Sequence, residues 1–366
     1  MKTVLIIILV LHGIIHLLGF AKAFSLAPLS HLKNKVSKSN GILWLVASAS
    51  YLLMVLLMIV GNNSWTLLSI VAVSISQYLI FTSWKDARWG SLINTVILAA
   101  AIISYGTLRF NSIFKNEVRI NLAKSYIQPD SILSEFDLVD LPELVQKYIR
   151  YSGAVGKPKV RNFKVEFSGQ IRRNDKSEWM PFTSQQYNFL ATSTRLFFMN
   201  AVMRDLPVSG FHSFRDGQAT MDIRLLSLFK VQYQSGKEMG IAETVTFFND
   251  MCCMAPATLI DKRIQWLETG DQYVKAQFTN NGISISARLY FNDKGELINF
   301  ISNDRYAQQE NNTMKQLPWS TPLKDYKDFN SHKLPSHAEA IYTYQQGSML
   351  YGTFALRNIE YNCKGL

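Results

Sequence analysis

The sequence predicts a membrane protein of two parts: an N-terminal four-helix transmembrane bundle, and an α+β domain built on a curved antiparallel β-sheet, a half-barrel with a capping or plug helix. Four apolar runs in residues 1–107 are each about long enough to cross roughly 30 Å of hydrocarbon. In the remainder, apolar and polar residues alternate with period two, which is typical of half-buried strands. We therefore expect a membrane domain at 1–107, a polar linker at 108–137 and a soluble domain at 138–366.

The four predicted spans are bordered by residues that favour the membrane–water interface. Tryptophan or tyrosine stands near several of their ends, as interfacial aromatic residues do. A cleaved signal peptide is the alternative for the first run, because Ala21-Lys22-Ala23 resembles a small-x-small cleavage site. We prefer a span, because that run has no compact apolar core and three more spans follow it. The runs are Thr3–Phe20, Gly41–Val60, Trp65–Ser83 and Leu92–Thr107.

Loop charge predicts how the spans are oriented. The first loop carries four lysines and no acid, the third carries Lys85 and Arg88, and the second, Gly61–Ser64, is uncharged. Short loops rich in lysine and arginine stay in the cytoplasm. Both termini and the large domain are therefore expected outside the cytoplasm. The basic residues that follow the fourth run belong to a long domain, which can cross the membrane despite its charge.

The net charge of +11 does not indicate a nucleic-acid partner. More than half of it belongs to residues 1–107, and we find no basic stripe with interleaved aromatic residues. The three cysteines, Cys252, Cys253 and Cys363, form neither a disulfide framework nor a C-x-x-C metal motif. No Walker loop, Rossmann fingerprint or H-E-x-x-H occurs, so we expect no cofactor.

His12 and His16 lie one turn apart on the first predicted helix and share a face. Ionisable groups inside a membrane are often functional, so a metal or proton site is one hypothesis. The preferred alternative is hydrogen bonding to polar residues of neighbouring helices. Those candidates are Ser48, Ser50, Tyr51, Gln77 and Asn94.

The soluble domain begins with a predicted helix and continues as nine or ten strands. The helix is expected from Asp140, with Pro142 in its first turn. The clearest alternating patterns are at 163–171 and 283–291. Turn signals separate the strands at Asp216-Gly217, Ser235-Gly236, Asn281-Gly282 and Asn292–Gly295.

One helix, predicted over 241–260, interrupts the strands, and Pro256 is expected to kink or end it. Such a helix must pack across a sheet face or plug the mouth of a curved sheet. Methionine beside aromatic residues suits an adaptable apolar pocket, although an ordinary hydrophobic core is the alternative. The predicted ligand-binding residues are Phe189, Phe198, Met199, Phe247, Phe248, Met251, Met254, Trp266 and Trp319.

Two polar groupings are the candidates for catalysis. His212 could act as a base oriented by Asp216, although a polar turn in which Asp216 binds backbone amides is the preferred interpretation. Asp304 and Arg305 could clamp an anionic head group, or could form a structural ion pair. No G-x-S-x-G nucleophile elbow occurs.

The segments His12–Phe20 and Ser83–Ala87 resemble the membrane anchor of an uncharacterised family from Bacteroidetes-like bacteria. The resemblance extends over nearly the whole chain. Together with the four spans and the loop charge, it leads us to expect a bacterial inner-membrane protein whose large domain lies in the periplasm. That family's domain is similar to the curved sheet and helix of lipoprotein carriers, which bind acyl chains. Further matching positions are Leu141–Tyr148, Gly153, Gly156–Pro158, Arg215–Gly217, Pro256, Leu259, Trp266, Asp304-Arg305, Pro318-Trp319 and Tyr326.

These patterns favour a membrane-anchored protein that binds a lipid or another apolar small molecule, with membrane lipids as its surroundings. The first alternative is an enzyme that acts on a lipid-like substrate in the same cavity. The second is a protein-interaction module with a filled core. A cavity lined by Met and Phe would separate the first two hypotheses from the third.

Overall fold

The computed structural model of the chain describes residues 2–125, 131–309 and 313–366. It divides into two compact units, Met1–Arg109 and Phe110–Leu366. Four helices of the described part are long and apolar enough to cross a membrane, as the sequence predicts. The helices of this region are α1 (Lys2–Ala23), α2 (Lys38–Ile59), α3 (Trp65–Thr82), the short α4 (Trp84–Ala87) and α5 (Gly90–Ser125).

Small residues let α1 approach α2 closely. A Cβ added to Gly19 would lie 2.4 Å from the Trp44 ring, so only glycine fits there. Several polar side chains buried between the helices are hydrogen-bonded to one another, among them His12, His16 and Asn94. Large apolar side chains on the outside of these helices stay exposed, which suits contact with lipid.

The second unit is dominated by one open antiparallel sheet of thirteen strands. Its order is β6-β5-β4-β3-β2-β1-β15-β14-β13-β10-β9-β8-β7, and β11 and β12 form a separate pair. The strands are β1 (Asn162–Ile171), β2 (Met180–Phe189), β3 (Thr194–Met203), β4 (Leu206–Arg215), β5 (Gln218–Leu225), β6 (Phe229–Ser235), β7 (Ile264–Thr269), β8 (Tyr273–Asn280), β9 (Ile283–Phe291), β10 (Leu297–Ser302), β11 (Tyr306–Gln308), β12 (Met314–Gln316), β13 (Trp319–Phe329), β14 (His332–Tyr344) and β15 (Gly347–Tyr361). The curved antiparallel sheet predicted from the sequence is thus confirmed.

Two further helices belong to the second unit. α6 (Glu143–Tyr151) begins three residues after the predicted start at Asp140, with Pro142 as its cap, and it buries Val145, Tyr148 and Ile149. α7 (Lys237–Met254) ends just before Pro256, which starts a 3-10 turn that continues to Ile260. Since α7 follows the edge strand β6 and precedes the edge strand β7, it links the two edges of the open sheet.

The sequence predicts a polar linker over 108–137, but the structure continues α5 through to Ser125. The part of α5 in the second unit carries an apolar stripe at a spacing of four residues, which a helix places on one face. That stripe packs on the outer face of the sheet, against residues of β2, β3 and β4. Residues 126–130 of the predicted linker lie outside the described residues. The stripe comprises Phe110, Phe114, Val118 and Leu122.

Candidate functional site

The concave face of the sheet is covered by α7, and the side chains of this helix are buried on nearly every face from Met239 onwards. Phe247, Phe248 and Met251 have no exposed surface. The Phe248 ring stacks on Phe278 of β8 at 5.1 Å between centroids, and Phe247 packs against Phe214 of β4 at 5.8 Å. The apolar side chains of the helix therefore fill the space in which the sequence predicts a cavity.

α7 also carries two buried carboxylates, which flank Phe247 on the same face of the helix and share one arginine. Arg195 of β3 donates from Nε to Asp250 Oδ2 at 2.7 Å and from Nη1 to Glu243 Oε2 at 3.1 Å. Glu243 is 2% exposed and Asp250 is 6% exposed. Seven residues separate them, which places both on the same face of the helix, two turns apart. One strand cation thus binds α7 at two points.

Two amides complete this cluster. Gln186 Nε2 donates to Asp250 Oδ2 at 2.7 Å, and Asn188 Nδ2 donates to the same oxygen at 3.2 Å. Gln186 Oε1 accepts from Arg195 Nη2 at 3.0 Å. Strand register explains the grouping, because Asn188 pairs with Arg195 and both face α7. We call Gln186, Asn188, Arg195, Glu243 and Asp250 the α7 latch.

Electrostatics in the latch differ between its two acids. Burial alone would raise the pKa of Glu243, but Arg195 and His212 outweigh burial and hold that pKa at about 2. For Asp250, burial is the stronger influence and raises the pKa despite Arg195. Glu243 is therefore an anion at any ordinary pH, and its charge is balanced mainly by Arg195.

Arg305, in the connection between β10 and β11, also binds α7. Its guanidinium donates to the Ala242 carbonyl at 2.9 Å, to the Thr246 hydroxyl and to the Tyr342 hydroxyl at 2.9 Å. It also lies over the Trp319 ring at 4.6 Å. Burial would lower the pKa of Arg305, but its tyrosine neighbours and Glu243 raise it. Arg305 therefore stays charged and binds the backbone of α7.

The two predicted catalytic groupings are arranged differently from the hypotheses. Asp304 accepts from the backbone N–H of Ser286 at 2.7 Å, whereas Arg305 binds α7 and Tyr342. Asp216 stands in the β4–β5 turn and accepts from Asn281 Nδ2 at 3.3 Å. The carboxylate that faces His212 is Glu243, with 4.0 Å between His212 Nδ1 and Glu243 Oε1.

The structure brings together most, but not all, of the predicted ligand-binding residues. Phe189 and Phe198 lie on the outer face of the sheet beneath the stripe of α5. Successive residues of a strand point to opposite faces, so Phe198 and Met199 do not share a pocket. The remaining predicted residues meet in the main core: Met199, Phe247, Phe248, Met251, Met254 and Trp319 are buried there, and Trp266 packs against them.

A cleft of about 550 Å³ lies at one end of the sheet. It is bordered by the turns that contain Asp216 and Asn281, and by Arg263, which forms a double hydrogen bond with Asp261. Among the predicted site residues, Asp216 borders this cleft. Its mixed polar lining does not suit the expected apolar ligand.

The two histidines of α1 are hydrogen-bonded within the first unit. His12 Nε2 lies 3.0 Å from Asn94 Oδ1, as the preferred hypothesis expects, whereas His16 Nε2 bonds Ser76 Oγ at 2.8 Å. Tyr51 also donates to Asn94 Oδ1 at 2.8 Å. Within residues 2–125, 131–309 and 313–366, no three His, Cys, Asp or Glu side chains are grouped as metal ligands would be.

Sequence patterns alone did not identify Arg195, Glu243 or Asp250. The sequence contains one indication of a buried polar cluster. Two acids seven residues apart, in a helix whose other residues are largely apolar, must share a face. The cysteines of α7 offer no chemistry of their own, because burial raises the pKa of Cys252 and of Cys253 and keeps both thiols protonated. The site is thus a buried helix held by charges against a concave sheet.

Comparison with known proteins places this architecture in a class without an assigned activity. Residues 131–354 match the model of a family of unknown function, DUF6544. The chain belongs to this family, which confirms the predicted resemblance to an uncharacterised family. None of the curated proteins matches the sequence.

Several solved structures match part of the chain at low sequence identity. A putative outer membrane lipoprotein-sorting protein domain from Vibrio parahaemolyticus is 9% identical, with a TM-score of 0.34 over 60% of this chain and 91% of that chain. A DUF1329 family protein from Desulfovibrio piger is 10% identical, with a TM-score of 0.32 over 60% and 91%. A LolA superfamily protein from Nitrosomonas europaea is 8% identical, with a TM-score of 0.27 over 59% and 93%.

Proposed function

We propose that the protein is a membrane-anchored binding protein for a lipid or another apolar molecule, and that the ligand is admitted when α7 leaves the concave face of the sheet. The observation that carries the proposal is the composition of α7. Apolar side chains of this helix close the concavity, and two carboxylates buried among them are held by the other residues of the latch.

A buried ion-pair network such as the latch adds little stability to a core that always stays closed. Replacing a buried ion-pair network by apolar residues of similar volume is often neutral or stabilising. Buried charges have a different advantage when the helix must leave. Glu243 and Asp250 regain water in the displaced state, which lowers its free energy relative to that of an all-apolar helix.

Displacement of α7 would create an apolar surface of the right kind. Phe278 of β8 and Phe300 of β10 both contact Phe248 in the closed state, with centroid distances of 5.1 and 5.7 Å. Without α7 these rings would face open space, and an acyl chain could replace the helix against them. Closed and ligand-bound states would then differ in which apolar group covers the sheet.

For the membrane part, we propose a bacterial inner membrane, with the second unit in the periplasm. The basic loops support this orientation. Within the first unit, Asp86 accepts from the backbone N–H groups of Lys33 at 3.0 Å and Asn34 at 2.7 Å. The two charged loops therefore lie at the same end of the helices.

A second candidate function is a protein-interaction module with a filled core. The observation in its favour is the complete burial of Phe247, Phe248 and Met251. In that case α7 is a fixed part of the fold, and partners bind on the outside. The two candidates differ in one measurable respect, the access of lipid to the concave face.

Photo-crosslinking can measure that access. The full chain is placed in nanodiscs that contain a phospholipid with a photoreactive group near the end of one acyl chain. After illumination, the binding hypothesis expects crosslinked peptides from α7 and from the inner faces of β8 and β10, in addition to the membrane helices. Crosslinks confined to the membrane helices would contradict ligand binding and favour the interaction module.

A further inference from the structure

Within the second unit, the polypeptide enters at a defined end of the sheet. The Arg224 guanidinium of β5 lies 4.1 Å above the Phe110 ring, and Ser125 accepts from Asn162 Nδ2, at the start of β1, at 3.0 Å. Phe110 therefore marks one end of the strands and Ser125 the opposite end. Phe110 follows within a few residues of the fourth predicted span, which ends near Thr107. Because the chain is continuous, the second unit is connected to the fourth predicted span at the Phe110 end of the strands.

Two turns at that end are flanked by exposed apolar residues of the adjoining strands. They join β3 to β4, through Arg204 and Asp205, and β5 to β6. We call the five exposed apolar residues around the Phe110-end turns the apolar rim: Val202 (47% exposed), Met203 (40%), Leu206 (44%), Phe229 (62%) and Val231 (56%).

We propose that the apolar rim inserts into the lipid–water interface of the membrane that anchors the chain. Exposed apolar side chains next to exposed cations, here Arg204 and Lys230, are the composition of surfaces that dock on phospholipid. A bilayer is the partner because the sequence that leads into Phe110 is itself a predicted span. The inference rests on the proposed anchoring, but it does not require a bound ligand.

Docking would also place a second cleft of the domain near lipid. A cleft of about 540 Å³ lies along the edge strand β6 and is bordered by Val231, Tyr233 and, on α7, Met239. Val231 belongs to the apolar rim, so an inserted rim brings this cleft to the level of the head groups. The cleft then connects the bilayer with the first turn of the helix that must move.

Depth-dependent fluorescence quenching tests the docking. In full-length protein with Cys363 replaced by serine, single cysteines are introduced at exposed positions and labelled with an environment-sensitive dye; the native Cys252 and Cys253 are fully buried. The protein is reconstituted into vesicles of phosphatidylcholine and phosphatidylglycerol, with or without doxyl-labelled phospholipid. The test positions are Met203→Cys and Phe229→Cys.

Two further positions serve as references. Leu267→Cys lies on β7 at the far edge of the sheet and is 44% exposed, which matches the rim. Leu53→Cys lies on α2, inside a predicted span. We expect shallow doxyl groups to quench most of the emission at positions 203 and 229 and little at 267, while deep doxyl groups quench position 53.

Quenching at position 53 without quenching at 203 and 229 would overturn the docking proposal and leave the anchoring intact. No quenching at position 53 would overturn the anchoring, and the docking with it. Equal quenching at 229 and 267 would show that the dye itself partitions into lipid, or that the whole domain does, and would overturn a specific rim. Thermal unfolding of each rim variant shows whether it is folded. Because both positions are exposed, we expect at least one variant to unfold as the wild type does.

Discussion

Removal of the Arg195 side chain should destabilise the second unit more than an average substitution does. The change Arg195→Met keeps most of the side-chain volume but leaves Glu243 and Asp250 buried without their cation. Breaking a buried ion pair by removal of one partner costs about 3–5 kcal/mol. For a unit of this size, each kcal/mol corresponds to roughly 2–4 °C in Tm, so Tm should fall by about 10 °C.

The matched control replaces all three charges together. In Arg195→Met/Glu243→Met/Asp250→Asn, no buried charge remains in the latch, and the new asparagine still offers an acceptor to Gln186 and Asn188. We expect this neutral variant to unfold within about 1 kcal/mol of the wild type, because compensated replacement of a buried network is often neutral.

Thermal unfolding of the full chain in nanodiscs, followed by tryptophan fluorescence, provides the comparison. Unfolding of Arg195→Met at the wild-type temperature would show that the two carboxylates do not depend on Arg195. A neutral variant as unstable as the single one would show that the cost comes from lost packing and not from unpaired charge.

Three further outcomes follow from the structure. The pKa of Glu243 is about 2 in the folded state against an ordinary 4.5. The stability that this difference contributes, about 3 kcal/mol, is therefore present above pH 4.5 and declines as pH falls towards 2. Glu243→Gln should flatten the loss of Tm between about pH 6 and pH 3, and an unchanged slope would contradict the assignment. In intact cells, an impermeant thiol reagent should label a cysteine placed at Asn62 but not one at Asn34, and the reverse pattern would place the second unit in the cytoplasm. Replacement of His12 and His16 by glutamine should leave membrane insertion and folding largely intact, and a stoichiometric metal that is bound by the wild type and lost in the double variant would contradict the hydrogen-bonding hypothesis.

Local sequence patterns predict much of this fold because its elements are periodic. Alternation at 283–291 predicts β9, and the structure forms that strand from Ile283 to Phe291. Pro256 predicts the end of α7, since a proline lacks the N–H that a helix interior requires. The predicted linker shows where charge misleads: basic residues after Thr107 concealed a stripe from Phe110 to Leu122 that recurs every four residues.

The latch could not be predicted in the same way. Arg195 meets Glu243 and Asp250 only because the open sheet curves around α7, and they are about fifty residues apart in sequence. The sequence shows that α7 has polar positions, but it does not show which strand residue they face. The predicted set of ligand-binding residues included both faces of β3, since Phe198 and Met199 are adjacent and thus point to opposite faces.

Hydrogen exchange of α7 measures whether this helix leaves the sheet without unfolding of the whole second unit. If the helix leaves the sheet as a unit, its amides should exchange through an opening that costs less free energy than the opening of the central strands β1 and β15. In the neutral variant, whose latch face no longer gains charge solvation on leaving, the protection of α7 should rise towards that of these strands. Wild-type α7 amides that exchange only with global unfolding, together with β1 and β15, would contradict a displaceable helix and make it a fixed part of the core.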